Sequence, residues 1–252
     1  MISFSSLHAV IIPSEASAAQ QKAYVTYTLS SLPPTDSSTP TITILESRNL
    51  LAAAGTTGLR TWEAALCLGD YLSLNMDVIK DKSVLELGAG TGYISILCAR
   101  YLGASHVLAT DGSDDVVAGL ATNFYLNDLQ DSPILEGKEL KWGRALVGNE
   151  HPEWNGGQKI DVVLGADVLY DVPSIIALLS TVGDLFDLFP DVKIIITATL
   201  RNQTTFDKFL NTCKNAKYVV QKIDFKPKAI AEQTGPFYTD GVPLEIYQIT
   251  GA

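Results

Sequence analysis

Between Ser83 and Ile96 the chain reads Ser-Val-Leu-Glu-Leu-Gly-Ala-Gly-Thr-Gly-Tyr-Ile-Ser-Ile, and few folds accommodate such a stretch. Val84, Leu85 and Leu87 form a short apolar run, glycines follow at 88, 90 and 92, and an amphipathic segment begins directly after them. That order reads as strand, tight turn and helix. Alternate glycines remove the Cβ atoms that would bar positive φ angles and hold a ligand away from the backbone. A helix opening near Thr91 then directs its free N–H groups at whatever the turn holds.

Two acids narrow the choice of ligand. Glu86 stands two residues ahead of the first glycine, and Asp111 closes the next apolar run, His106 to Thr110, at roughly the twenty-residue spacing of a ribose-binding acid. A carboxylate at the end of that second strand can accept hydrogen bonds from both ribose hydroxyls. A dinucleotide pyrophosphate sits poorly beside Glu86. The sulfonium and ammonium groups of S-adenosyl-L-methionine suit an acidic cradle better. A nicotinamide-dependent oxidoreductase is the rival enzyme reading, since it shares the turn and the ribose acid. It is disfavoured by Glu86 and by a third glycine at the fifth position of the motif instead of the sixth. The non-enzyme reading is a cofactor-binding interaction protein without activity.

The remaining segments supply the parts of a doubly wound sheet. Helices are predicted over Thr61 to Leu72 with Thr61 as N-cap, over Ile94 to Leu102 stopping at Gly103, and over Asp114 to Leu126 with Ser113 as N-cap. Glu139 to Gly143 reads as a short strand with Trp142 at its carboxyl end. Ile160 to Leu164 is apolar apart from Asp161, as a central parallel strand should be, and runs on to Asp167, with Tyr170 three residues later. A helix opening at Pro173 and ending near Phe189, a strand over Val192 to Thr199 and a helix over Gln203 to Lys214 follow. Tyr218 to Phe225 and Leu244 to Thr250 form a closing antiparallel pair, because no helical segment separates them. Residues 1–48 read as an N-terminal extension, and 49–252 as the main domain. The extension holds a short helix from Ser14 to Lys22, a turn-rich linker from Ser31 to Pro40, and a strand at Thr41 to Glu46 added as an edge or hairpin beside the sheet.

Composition sets outer bounds. A net charge of −10 argues against nonspecific nucleic-acid binding, which needs a basic face, and favours basic partners. Three scattered cysteines, Cys67, Cys98 and Cys213, carry no metal-ligand spacing and no disulfide framework. His8, His106 and His151 have no matching ligands, so no metal is expected. No Lys or Arg precedes Lys22, and no uncharged apolar run is long enough to span a bilayer. A soluble, cytoplasmic protein is the expectation.

Glu86 to Gly92 with Asp111 resembles the cofactor motifs of seven-β-strand S-adenosyl-L-methionine-dependent methyltransferases. Ala166-Asp167-Val168-Leu169-Tyr170 resembles the Asp-x-x-Tyr motif of the family 16 protein-lysine methyltransferases within that class. Gly55 to Leu66 and Thr199-Leu200-Arg201-Asn202 extend the likeness, which runs from about Thr41 to the C-terminus. The resemblance implies a Rossmann-like α/β fold whose seven-stranded sheet is mostly parallel, with an antiparallel C-terminal strand. It implies a monomer that methylates a lysine of a protein, translation elongation factor 2 in the most similar subgroup. Alternative targets are another protein, such as a chaperone or elongation factor 1A, or a small molecule. It also implies that Gly88, Ala89 and Gly90 pack against the methionine part of the cofactor, beside Glu86, and that Asp111 holds the ribose. Trp62, Trp142 and Ala166 would line the rest of that pocket, while Asp167 and Tyr170 face the lysine. The N-terminal region is shorter than the resemblance leads one to expect.

Overall fold

The computed structural model describes residues 22–34, 38–47, 57–146 and 154–251. The helix expected from Ser14, together with His8 and His151, lies outside them, and Lys22 itself opens a strand. Lys22–Thr28 (β1) and Thr41–Ser47 (β2) pair antiparallel, from Lys22 opposite Ser47 to Thr28 opposite Thr41. They form a two-stranded sheet of their own, so the segment at Thr41 is a hairpin and not an added edge. The reason lies in helix Asp114–Tyr125 (α3) and the turn after it. Asn123 accepts from the N–H of Leu45 at 2.8 Å, and Asn127 both accepts from the N–H of Thr43 and donates to its carbonyl, at 2.9 and 2.7 Å. The free edge of β2 therefore bonds to two side-chain amides and needs no further strand.

In the central sheet, Ser83–Leu87 (β3) is buried at every position. It pairs in parallel with His106–Asp111 (β4) on one side and Val162–Ala166 (β6) on the other. Leu135–Glu139 (β5) extends the sheet beyond β4, and Lys193–Thr199 (β7) beyond β6. Leu244–Thr250 (β9) runs antiparallel to β7 and carries Val219–Lys222 (β8) on its outer side. The order is β5-β4-β3-β6-β7-β9-β8, which bears out the mostly parallel α/β sheet of seven strands and its terminal antiparallel pair.

Strand alternation decides which layer each helix covers. Val84 packs with Ile42 and Ile44 of the hairpin and with helices Glu63–Leu74 (α1), Tyr93–Arg100 (α2) and α3. Leu85 and Leu87 point the other way, against Val172–Leu188 (α4) and Gln203–Asn215 (α5). No helix among the described residues is long and apolar enough to cross a membrane.

Element ends shift by one to three residues at several places, as for Val219–Lys222 and Val162–Ala166, and two departures from the sequence reading have a physical reason. Thr61 does not cap α1, because its N–H donates to Glu46 at 2.9 Å and its hydroxyl bonds that of Thr91 at 2.7 Å; Trp62 occupies the cap position. The fifth strand ends at Glu139, where the first of the segment's expected residues stands. Register with β4 runs from Val107 opposite Leu135 to Asp111 opposite Glu139, so the strand sits earlier than the apolar pair Leu140 and Trp142 suggests.

Candidate functional site

The chain leaves β3 toward β4 on one side and reaches β6 on the other. Such a switch in winding direction opens a crevice at the carboxyl ends of the two strands. A cavity of about 720 Å³ occupies that place, within the range of about 300–1,000 Å³ usual for small-molecule sites. Trp62, Glu86, Gly88, Ala89, Gly90, Asp111, Trp142, Ala166, Asp167 and Tyr170 all border it. Every site residue read from the sequence is thus brought to one cavity. A smaller one of about 460 Å³, by Lys159 and Pro190, lies at the opposite ends of β6 and β7, away from these groups.

The glycine turn is shaped by contacts within the protein as well as by room for a ligand. Gly88 has φ +70°, and a Cβ there would come within 3.1 Å of the Trp142 ring. Gly90 has φ +54°, and a Cβ would meet the Gly58 carbonyl at 3.2 Å. Ala89 ties the turn to β4 through its N–H and the Thr110 carbonyl, at 2.8 Å. Asp111 accepts from the N–H of Gly90 and of Ser113, both at 3.1 Å. Burial pushes its carboxyl up, against the opposing pull of those N–H donors. A carboxylate has about four lone-pair positions, so two backbone bonds leave capacity for hydroxyls.

Glu86 is placed differently from what its spacing suggests. Its carboxyl is 2% exposed and accepts from both the N–H and the hydroxyl of Ser95 in α2. Burial pushes it up to about 8, with Asp111 adding to the rise. Near neutral pH it therefore offers the cavity much less negative charge than an exposed glutamate would, and the case for a cationic ligand rests less on it than the sequence suggested.

The two tryptophans differ in what they leave open. Trp62 spends its indole N–H on the Thr57 carbonyl at 3.0 Å. The N–H of Trp142 is buried without a partner. A buried donor of that kind costs about 1–3 kcal/mol unless something accepts from it, and here it belongs to a residue of the cavity wall.

Asp167 directly follows β6 in a left-handed conformation, φ +57°, with its N–H bonded to the Thr197 carbonyl of β7 at 2.9 Å. Helix α4 is capped by Asp171, which accepts from the N–H of Ser174 at 2.7 Å. Asp167 is thus free of capping duty. Tyr170 stands at the mouth, 57% exposed.

Sequence reading counted one member of the constellation in the family likeness but gave it no role. Arg201, just beyond β7, donates through Nη1 to both oxygens of Asp167, at 3.0 and 2.9 Å, and lies over the Trp62 ring at 5.3 Å. Its position past the carboxyl end of the strand next to β6 was the available signal.

Residues 41–216 match the model of a family described as lysine methyltransferase. The chain belongs to this family. As a lysine methyltransferase it is 56% identical over 238 residues to the protein-lysine N-methyltransferase EFM3 of Chaetomium thermophilum, covering 94% of this chain and 70% of that protein. It is 31% identical to EFM3 of Saccharomyces cerevisiae, over 83% of this chain and 65% of that one. The human protein-lysine N-methyltransferase EEF2KMT is 30% identical over 67% of this chain and 53% of its own length. This lysine methyltransferase therefore spans between about half and seven-tenths of the relatives it matches.

Proposed function

We propose that this lysine methyltransferase uses S-adenosyl-L-methionine to methylate a lysine of elongation factor 2 in the cytoplasm. The observation that carries the reading is that the glycine turn and the Asp167 carboxylate open on one cavity at the switch point of the sheet. The choice of elongation factor 2 rests on the motif resemblance and on the likeness to the relative named EEF2KMT.

The cavity fits such a cofactor. The Gly88 and Gly90 backbone leaves room where any Cβ would intrude, and Asp111 keeps acceptor capacity for ribose hydroxyls. Gly88, Ala89 and Gly90 would hold the methionine part, with Trp62 and Ala166 lining the remainder. When bound, the cofactor supplies an electrophilic methyl group on a sulfonium. The protein must then align an amine and keep water out, and alignment alone supplies up to roughly 7–11 kcal/mol of a barrier in ideal cases. Asp167 orients the amine by accepting one of its N–H bonds, and Tyr170 frames the entrance.

The test is labelling with tritiated cofactor in the presence of purified elongation factor 2. Label on a lysine of that protein is expected, and Asp167→Asn should lower kcat at least about a hundredfold while affinity for S-adenosyl-L-homocysteine is retained. Label in RNA or a small metabolite, or an undiminished Asp167→Asn enzyme, overturns the reading.

A further inference from the structure

One cation at the mouth has no task in the scheme above. Arg201 carries a half-exposed side chain, and its guanidinium sits between the Asp167 carboxylate and the Trp62 ring. Both partners of the ion pair are anchored on β7: the N–H of Asp167 bonds the Thr197 carbonyl and that of Arg201 the Thr199 carbonyl, each at 2.9 Å. The sheet therefore sets their separation, although they stand 34 residues apart in sequence.

Asp167 alone conflicts with the chemistry proposed for it. An amine attacks only through a free lone pair, and a free lysine, with a pKa near 10.4, is almost wholly protonated at neutral pH. A bare carboxylate beside it would favour the ammonium further. A guanidinium keeps its charge throughout the working range and, held against that carboxylate, cancels most of this effect.

We propose that Arg201 is a positioning residue that selects the neutral lysine amine: it neutralises Asp167, so that the carboxylate can accept an N–H from the amine without stabilising the ammonium. This inference rests on the lysine methyltransferase reading of the site. Arg201 engages both Asp167 oxygens through a single nitrogen, which leaves carboxylate lone pairs for the incoming amine.

The other charges around the cavity have partners elsewhere. Arg60 also approaches the Trp62 ring, at 5.5 Å, but pairs with Glu63 at 3.3 Å. Lys141 pairs with Glu139, Glu86 is held by Ser95, and Asp111 by Gly90 and Ser113. The Tyr170 phenol borders the same mouth. Among the described residues, Arg201 is the cation paired with Asp167.

The experiment compares wild type, Arg201→Gln and Arg201→Lys with purified elongation factor 2 as substrate. It reads kcat/KM across pH, and affinity for S-adenosyl-L-homocysteine by calorimetry. Because Arg201 is a surface residue, folding is not at stake. In Arg201→Gln the rising limb of the profile should move up by at least about one pH unit. Activity near neutrality then falls about tenfold and recovers in alkali, with product affinity unchanged. Arg201→Lys, which keeps a cation, should restore most of the shift. A second readout is binding of a lysine peptide from the same factor to the S-adenosyl-L-homocysteine complex: Arg201→Gln should gain affinity at low pH relative to wild type. Superimposable profiles, a loss independent of pH, or a parallel fall in product affinity overturns the proposal and leaves Arg201 a structural strut. A wild-type enzyme that labels no lysine of elongation factor 2 at any pH overturns the functional reading and this inference with it, and the wild-type trace alone tells that case apart.

Discussion

A carboxyl buried as deeply as that of Glu86 makes the glycine turn sensitive to pH. Its folded-state value is raised from 4.5 to about 8, so the folded protein holds a proton that the unfolded chain has already released. Stability from this group is fully present below about 4.5 and is lost as pH rises toward about 8. Glu86→Gln keeps an acceptor for Ser95 and removes the titration. Denaturant unfolding of the two proteins should therefore diverge with pH, the variant becoming the more stable by about a kcal/mol or more near pH 8. Parallel curves from pH 5 to 8 would mean that the Glu86 carboxyl is solvated in solution. Charge at this position was only half legible in the sequence. Spacing placed Glu86 beside the turn, but the hydroxyl that engages it belongs to Ser95, in the first turn of α2. Asp111 and Asp167 were easier, because each closes an apolar run at the carboxyl end of a parallel strand. Arg201 follows a similar run, yet its role depends on which strand lies next to β7, and that is a property of the sheet order.

Two asparagines four residues apart do for the hairpin what a neighbouring strand would do. Asn123 is 3% exposed; besides accepting from Leu45 in β2 it donates to the Thr91 carbonyl in the glycine turn at 2.9 Å. One side chain thus couples β2, α3 and the glycine turn. Asn123→Ala leaves the Leu45 N–H and the Thr91 carbonyl unpaired and should cost about 1–3 kcal/mol. It should also weaken S-adenosyl-L-homocysteine binding, because the turn loses an anchor. Thermal unfolding and calorimetry measure the two effects, and a variant with full stability and full affinity would show that water replaces the amide in both bonds. Nothing in periodicity marks these residues, since an asparagine on a helix reads as solvated surface until the edge strand it faces is known. The same blindness put the cap of α1 at Thr61, a good capping residue whose groups are taken by Glu46 and Thr91. The succession of strands and helices along the chain and the closing antiparallel pair were legible because burial on one or two faces imposes a period on the chain.

For the molecule as a whole, 28 acidic against 18 basic residues bias encounters toward basic surfaces. A lysine on a protein must arrive with its neighbours, so the field of the enzyme acts on the surroundings of the target as well as on the target. Screening shortens that field, with a Debye length of about 10 Å at 0.1 M salt and about 3 Å at 1 M. Raising salt between those limits should increase KM for elongation factor 2 by about tenfold. It should leave kcat nearly unchanged, because the Asp167 side chain is only 11% exposed and already paired with Arg201. Tyr170 borders that mouth, and Val172 and Ile176, exposed in the first turns of the helix that follows it, extend it as an apolar lip, whose contribution strengthens or holds as salt rises. A KM that stays flat or falls with salt would therefore assign recognition to this lip and remove the acidic surface from the account of how the substrate is found.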